Sequence, residues 1–189
     1  MNTSNRKYIQ VGVLRMEKVS QVIYYLLSNS PNGRNVVEIS KLIYYSDGAY
    51  YQRNAKTITG ETYIHTDTCP QILNFNYAAL YLIENKHIEV RPRFKTDTFC
   101  GFSLFAAKEM PTTKISKQEK RIIQKVLSAF KGGLVDENLH YPNLYENYII
   151  TPLYSEIKFS TSSLGTKIHF LKKKSLLRLS DKIFRVIFD

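Results

Sequence analysis

The chain has 189 residues, a length that suits one ordinary domain, and its 43% hydrophobic residues supply enough apolar surface for a folded core. It has no low-complexity tract, no internal repeat and no apolar run near the roughly 18 residues of a membrane span, which excludes linker-like, solenoid and transmembrane classes. A formal net charge of +11 favours an acidic partner: nucleic acid, an anionic membrane or an acidic protein.

Cysteine content and the N-terminal segment indicate the compartment. Cys69 and Cys100 form no CxxC pair, so the sequence contains neither a disulfide framework nor a zinc motif. The apolar stretch near the N-terminus, Ile9 to Arg15, is too short and too interrupted for a secretory signal. We therefore expect a cytoplasmic protein without a transmembrane segment.

Two amphipathic helices are predicted in the first third of the chain. Apolar residues three and four positions apart predict the first, from about Val13 to Leu27. Asn35 and Glu38 have the spacing of a capping box, so the second helix should begin at Asn35 and end near Tyr50 or Tyr51. The paired tyrosines of these helices could stack on nucleic-acid bases, but at helical spacing core rings are the favoured interpretation.

The middle of the chain predicts a strand, a helix and a hairpin. Residues 61–65 alternate between polar and apolar and predict a short strand. Pro70 suits the first turn of a helix, which predicts a third helix from Pro70 to about Asn85. Two alternating segments within 87–105 predict an antiparallel hairpin in which Pro92 marks an edge strand. Cys100, between phenylalanines, is interpreted as a small buried hydrophobe.

The last third contains the clearest helix and then irregular sequence. Ser116 and Glu119 form an S-x-x-E capping box, and apolar residues recur correctly from there to Phe130. From Leu134 to Tyr154 the prolines exclude a long helix, although short helical turns fit. The expected fold class is α+β, mainly α-helical: a compact helical domain over residues 1–160 with a small antiparallel β-hairpin near 87–105, then a basic C-terminal extension over 161–189.

No motif for catalysis or cofactor binding is present. Four scattered histidines have no HxH, HExxH or CxxC partner, and the Gly-rich phosphate loops and the G-x-S-x-G nucleophile turn are absent. We expect no cofactor, no metal and no enzymatic activity.

A second interpretation is a basic DNA-binding regulator with winged-helix-like topology, since a helix is followed by a hairpin. Its candidate anion contacts lie in the hairpin and in the C-terminal extension: Arg91, Arg93, Lys172, Lys173, Lys174 and Arg178. Against it, the predicted helix over 71–80 has no Arg or Lys for a major groove. The extension could instead be a terminal element docked on the core with its basic face in water.

A resemblance to a known family rests on short motifs in a fixed order. The segment Asn35–Asp47, the segment Thr57–Tyr63 and the pair Cys69-Pro70 resemble the Panacea domain of SocA-like antitoxins, and the helix from Ser116 resembles a later helix of that family. The resemblance covers roughly residues 18–157. The motif residues, with a role in the fold or in partner contact, are Lys41, Leu42, Tyr44, Tyr45, Thr59, Gly60, Pro70 and His140.

The resemblance implies a bacterial or phage antitoxin that neutralises a protein toxin by direct binding, and for some members presentation of the toxin to a protease or its unfoldase. Among the motif residues we expect Leu42 and Tyr45 to pack in the core, with Ile58 beside them, and Gly60 to permit a tight turn. Lys41 and Tyr44 are the alternatives for surface contact. Cys69 replaces a glycine that the family usually has, and the family's tryptophan is absent.

Overall fold

The computed structural model describes residues 3–95, 98–130 and 141–159. Five helices and five strands lie within these ranges. The helices are α1 (Thr3–Ser28), α2 (Val36–Asn54), α3 (Phe75–Glu84), α4 (Lys117–Ala129) and α5 (Pro142–Ile150). The strands are β1 (Tyr63–His65), β2 (Pro70–Ile72), β3 (Ile88–Lys95), β4 (Thr98–Ala106) and β5 (Glu156–Ile157). The expected α+β, mainly helical class is confirmed.

The helix α2 is the centre of the core. Its N-terminus carries the predicted capping box, in which Asn35 accepts from the Glu38 N–H and Glu38 accepts from the Asn35 N–H. It ends at Asn54, three or four residues later than expected, where Ala55 takes a left-handed conformation, φ +52°, and donates its N–H to the Tyr51 carbonyl. α1 is also longer than predicted and begins at Thr3. No proline interrupts residues 3–12.

A three-stranded antiparallel sheet, in the order β2-β1-β5, brings the middle and the end of the described chain together. The prediction that Pro70 begins a helix is wrong. Pro70 is the first residue of the edge strand β2 and pairs with His65, after a turn in which the Thr66 hydroxyl bonds to the Cys69 carbonyl at 2.7 Å. Proline has no backbone N–H to donate to a neighbouring strand. The first residue of a strand can do without that hydrogen bond, so proline fits there as well as in the first turn of a helix.

The third helix begins only at Phe75. Asn74 precedes it and makes no side-chain capping hydrogen bond, and its amide nitrogen donates to Glu61 at 2.9 Å. Phe75, Ala78 and Leu82 face the core at spacings of three and four residues. The helix packs mainly against α1.

The hairpin of β3 and β4 is joined to the rest of the fold at its base. Arg34, in the connection between α1 and α2, exchanges two backbone hydrogen bonds with Leu104 of β4, at 3.0 and 2.8 Å. Gly33 beside it has φ +67°, and a Cβ there would lie 2.5 Å from the Phe105 ring. The glycine therefore allows both the turn and the close approach of the hairpin to this connection.

The helix α4 has the second predicted capping box, Ser116 with Glu119. Glu119 also accepts a hydrogen bond from Lys18 at 2.7 Å, which ties α4 to α1. After residues 131–140, which lie outside the described ranges, α5 is a nine-residue helix within the stretch expected to be irregular. No described helix is long and apolar enough to cross a membrane.

Candidate functional site

A buried carboxylate organises the segments that carry the family-like motifs. Asp47 lies in α2 with no exposed surface, and its Oδ1 accepts the backbone N–H groups of Ile58 and Thr59 at 2.8 and 3.1 Å. Its Oδ2 accepts the hydroxyls of Thr59 and Tyr63, the latter at 2.7 Å. The cluster therefore fastens the loop after α2, and strand β1, to the middle of α2.

Burial is the main influence on the ionisation of this cluster. It raises the pKa of the Asp47 carboxyl from 3.8 to about 6, although the hydrogen bonds from Thr59, Tyr63 and Ile58 lower it. Burial and the neighbouring carboxylate raise the pKa of the Tyr63 hydroxyl well above 10. A raised carboxyl pKa is common at catalytic sites, but here both oxygens already accept two hydrogen bonds and no surface is open to a substrate. The cluster is structural.

The motif residues differ in where the structure places them. Tyr44 is fully buried and donates to the Leu144 carbonyl at 2.9 Å, so its place is in the core and not on the surface. Leu42, Tyr45 and Ile58 are buried as expected, Thr59 binds Asp47, and Gly60 has φ +72°. Lys41 is half-buried, Pro70 lies in β2, and His140 falls outside the described residues.

A β-bulge shapes the outer end of the hairpin. The pairs Pro92 with Phe102 and Phe94 with Phe99 advance two residues along β3 but three along β4, so β4 contains one extra residue there. Gly101 within the bulge has φ +96°. Without the extra residue, Phe99 and Phe102 would point to opposite faces of the hairpin because they are three positions apart. The bulge puts them on one face.

The three rings on that face form an exposed aromatic cluster. Phe99 contacts Phe102 with ring centroids 5.2 Å apart and Phe94 with centroids 6.0 Å apart, in edge-to-face geometry. The three side chains are 54 to 60% exposed. We call Phe94, Phe99 and Phe102 the aromatic face. Cys100 lies in the bulge beside it and is exposed, so the prediction of a buried thiol is wrong, because both strands are exposed at this outer end of the hairpin, over residues 91–94 and 98–100.

A cleft opens beside the aromatic face. It has a volume of about 650 Å³ and lies between the hairpin and the connection from α1 to α2. Arg93 and Phe94 belong to the hairpin wall, while Arg34 and Glu38 belong to the opposite wall. The cleft is therefore lined by both polar and aromatic groups and is open to solvent.

The two predicted anion contacts of the hairpin have different environments. Arg91 bonds to Glu89 and lies over the Phe105 ring, 4.5 Å from its centroid, so its charge is already partnered. Arg93 is exposed and lines the cleft, and it makes no ion pair with any residue in the described ranges. Lys172, Lys173, Lys174 and Arg178 lie outside the described residues.

The helix α3 presents a second apolar surface. None of its residues is basic, and beside the exposed Asn76 and Glu84 its exposed residues are apolar: Tyr77, Leu80, Tyr81 and Ile83, with Leu73 just before the helix. A helix buried on one stripe and apolar on the other is unusual for a surface helix. The described part of the chain therefore has exposed apolar residues on the aromatic face, on this stripe, and at the end of α5 and just after it, where Ile149, Ile150, Leu153 and Tyr154 lie.

Within the described ranges no group of three or more His, Cys, Asp or Glu side chains could hold a metal ion.

The family model of the SocA-like antitoxins, Panacea domain, matches residues 39–135, just over half of the chain. The chain belongs to this family. No curated protein and no solved structure matches it. The matched Panacea region runs from the core of α2, through the Asp47 cluster, α3 and the hairpin, to the segment that follows α4.

Two features of this Panacea domain were missed by reasoning from the sequence. Asp47 enters the sequence motif only as its last residue, although a lone acid among the apolar positions of a helix is itself a signal of a buried hydrogen-bond acceptor. The residues of the aromatic face belong to two separate strand patterns in the sequence. Gly101 between Phe99 and Phe102 is the signal that could have predicted the bulge.

Proposed function

We propose that this Panacea-domain protein neutralises a protein toxin by binding it directly, with no catalytic step of its own. The observation that carries the proposal is the pair of exposed apolar surfaces, the aromatic face of the hairpin and the outer stripe of α3. Single exposed hydrophobes need no explanation, but contiguous apolar surface on a small domain is characteristic of protein interfaces. Membership of an antitoxin family supports the choice of a toxin as the partner.

Occlusion is the physical mechanism that these surfaces favour. An interface core excludes water around aromatic and aliphatic anchors, while charged groups at its rim steer the approach of the partner. A net charge of +11 would accelerate association with an acidic toxin. The toxin would lose activity because its functional surface is covered, and the antitoxin would be recovered unchanged.

The DNA-binding alternative is less well supported than protein binding. The helix α3 would be the recognition helix of a winged-helix protein, yet it contains no basic residue and most of its exposed residues are apolar, whereas contacts to phosphates and base edges use basic and polar side chains. Generic binding through the net charge would be lost by about 200 mM salt. Specific binding that persists above that concentration would contradict the proposal.

The test of the proposed function is isolation of the tagged full chain from its native cell. The extract is treated with nuclease at about 150 mM salt, and the proteins that remain bound are identified by mass. The proposal expects one small stoichiometric protein that arrests growth when it is expressed alone and no longer does so when co-expressed with this chain. A bound protein that is harmless when expressed alone, or the loss of every bound protein after nuclease, would refute it.

Occlusion and presentation to a protease are separated by the lifetime of that toxin. If the chain acts only by covering the toxin, the toxin's half-life in the cell is unchanged or longer when the antitoxin is present. If the chain is also an adaptor, the half-life shortens, and it recovers in cells that lack the protease. Growth rescue is expected in both cases, so the half-life is the measurement that distinguishes them.

A further inference from the structure

We propose that the outer face of α4 binds the phosphate backbone of double-stranded DNA without reading its sequence. The contact is made by Lys117, Arg121 and Lys125 of α4 together with Arg53 of α2, which we call the basic stripe. This activity goes beyond the proposed binding of a toxin and does not depend on it. It also differs from a winged-helix arrangement, since neither α3 nor the hairpin takes part.

The spacing of the three α4 residues puts them side by side. They are four positions apart in a helix of 3.6 residues per turn, so their directions differ by about 40° at each step and span about 80° in all. Lys117, Arg121 and Lys125 are all exposed. Because each residue advances the helix by about 1.5 Å, the row is about 12 Å long.

The packing of α2 against α4 adds the fourth cation. Arg53 lies in the last turn of α2, and it lines a small cavity of about 150 Å³ together with Lys125. Ile122 and Tyr141 belong to the walls of the same cavity. Arg53 is exposed as well. The basic stripe therefore extends over two helices that pack against each other, so the backbone positions of its cations are fixed before a ligand arrives.

The composition of the outer face of α4 indicates an anionic ligand. Its exposed residues all carry hydrogen-bond donors, and none is acidic or apolar: Lys117, Gln118, Arg121, Gln124, Lys125 and Ser128. The one acid of this helix, Glu119, is buried and paired with Lys18. Like charges four positions apart weaken a helix, so this face has an energetic cost that an anionic ligand removes.

None of the four cations is neutralised inside the described part of the fold. The residues of the basic stripe make no ion pair and no side-chain hydrogen bond there. By contrast, Lys120 on the same helix donates to Thr112 and lies over the Tyr25 ring, 5.5 Å from its centroid. The basic stripe is therefore the part of α4 whose charges are available to a ligand.

The absence of apolar side chains from the exposed face of α4 narrows the class of anion. Protein interfaces are built around apolar anchors and are depleted in lysine. A helix that lies on an anionic membrane inserts an apolar face, but the apolar face of α4 is buried in the core. Single-stranded nucleic acid stacks its bases on aromatic rings, and the exposed residues of α4 include none.

Duplex DNA is the anion that fits what remains. It keeps its bases paired inside and presents phosphates at high charge density along its outside. Lysine, arginine, glutamine and serine are side chains that contact these phosphates without reading sequence, and they are the residue types on the outer face of α4. The exposed apolar residues of the hairpin and of α3 lie on other elements and are left for a protein.

The salt dependence of DNA binding by the purified full chain tests the inference. The probe is a fluorescein-labelled DNA duplex of about 30 base pairs and arbitrary sequence, titrated from about 50 to about 200 mM salt. The stripe variant carries Arg53→Gln, Lys117→Gln, Arg121→Gln and Lys125→Gln. Each phosphate contact contributes about 0.9 to the slope of log K against log salt, so this slope should be shallower than the parent's by about 3 to 4. At about 100 mM salt the variant should bind at least about tenfold more weakly.

A matched variant separates the basic stripe from the net charge of the chain. Lys86→Gln, Arg93→Gln, Lys108→Gln and Lys158→Gln also remove four exposed cations without an ion pair in the described ranges, and none lies on α2 or α4. This control should keep the parent's slope to within about one. Glutamine forms helices nearly as well as lysine or arginine, and the stripe variant loses a row of like charges. It should therefore unfold at or above the parent's midpoint temperature.

Acetylation of lysines in the parent chain gives a second measurement that needs no variant. With the duplex bound at about 50 mM salt, Lys117 and Lys125 should be acetylated at least about fivefold more slowly than in the free chain. Lys86 and Lys108 should keep the rate of the free chain. The masses of the acetylated peptides report each position, and this measurement decides the matter if the stripe variant unfolds below the parent's midpoint.

The opposite results overturn the inference. An unchanged slope in the stripe variant, an equal loss in the control, or equal protection of all four lysines would leave the outer face of α4 without a role in binding of its own. Absence of binding at about 50 mM salt would do the same. Tighter binding of a single strand, or of duplex RNA of the same sequence, would refute the choice of ligand. No toxin enters these experiments, so their failure leaves the proposed function intact.

Discussion

The Tyr63 hydroxyl donates to the Asp47 carboxylate at 2.7 Å, joining strand β1 to the middle of α2 inside the core. Neither side chain has a cation beside it in the cluster, whose donors are two backbone N–H groups and two hydroxyls. A buried charge held by hydrogen bonds alone makes the stability of the fold depend on pH, and it makes the loop after α2 depend on one carboxylate.

Replacing Asp47 with Asn should remove a pH-dependent part of the free energy of unfolding. The raised pKa means that the folded state binds a proton more tightly than the unfolded state, so Asp47 stabilises the fold most below about pH 4 and loses that contribution as pH rises through about 6. A shift from 3.8 to about 6 corresponds to about 3 kcal/mol. The free energy of unfolding of the parent should fall by about 3 kcal/mol between pH 4 and 7, while that of Asp47→Asn lacks this fall. The difference between the variant and the parent should therefore shift by about 3 kcal/mol in favour of the variant over this range.

Urea unfolding at a series of pH values measures this difference. Glu84→Gln, at an exposed position at the end of α3, is the control and should follow the parent at every pH. A parallel pH dependence of the parent and Asp47→Asn would show that the buried carboxyl does not titrate in this range.

Tyr63→Phe should destabilise the fold by about 2 kcal/mol at pH 7, because a charged acceptor loses one buried donor. The loss should shrink near pH 4, where the carboxyl is protonated. Denaturant unfolding at the two pH values checks this. The control is Tyr77→Phe, on the exposed side of α3, which should change the free energy of unfolding by less than about 0.5 kcal/mol. If this control loses as much stability as Tyr63→Phe, the buried hydrogen bond is not the cause of the destabilisation by Tyr63→Phe.

The contact between Gly48 and Leu144 should show strong coupling. A Cβ at Gly48 would lie 2.5 Å from the Leu144 methyl groups, so Gly48→Ala should cost about 1 to 3 kcal/mol by overpacking the contact of α2 with α5. Leu144→Ala alone should cost about 2 to 5 kcal/mol by leaving a cavity. The double variant should lose clearly less than the two single losses together, since each change relieves the other. Additive losses in a double-mutant cycle would contradict this packing.

Lys18 should matter more than other surface lysines because its partner is buried. Burial tends to raise the pKa of Glu119, but the hydrogen bonds from Lys18 and from the Ser116 N–H outweigh it and lower the pKa below its ordinary value. The Glu119 carboxylate therefore stabilises the fold at pH values above the ordinary pKa of glutamate, and this stabilisation is lost as the pH falls. Lys18→Met should cost about 2 kcal/mol at pH 7 and less near pH 3.

The matched control for that experiment is Lys114→Met, which breaks a solvent-exposed pair with Glu17 at 3.7 Å. Exposed pairs contribute about 0 to 1 kcal/mol, so its effect should be small at every pH. Equal losses from the two lysine variants in chemical denaturation would show that burial of Glu119 does not strengthen its pair with Lys18.

Features set by neighbours along the chain were predictable. Both capping boxes join residues three positions apart, and the structure has both, at Asn35 and at Ser116. The apolar stripes of α2 and α4 and the alternation of the hairpin strands are likewise local periods of 3.6 and 2 residues. The motif order from Asn35 to Pro70 was sufficient to indicate the Panacea family, which the family model confirms.

Features set by distant partners were not predictable in the same way. Strands β2 and β5 have three and two residues, too few to show a period, and they exist because β1 offers its two edges. The choice of strand over helix at Pro70 followed from that pairing, because proline's missing N–H suits both positions. Burial of Asp47 depended on donors 11 to 16 positions away.

The sequence by itself therefore determined the helix boundaries that caps enforce, the mainly helical class, the basic charge and the family. Only the tertiary structure decided that Tyr44 is a core residue, that Asp47 holds the motif segments together, and that Phe94, Phe99 and Phe102 share one exposed face. The physical reason is that capping and periodicity act over one helical turn or one strand repeat. Burial, pairing and the direction of a side chain after a bulge depend on which distant segments meet.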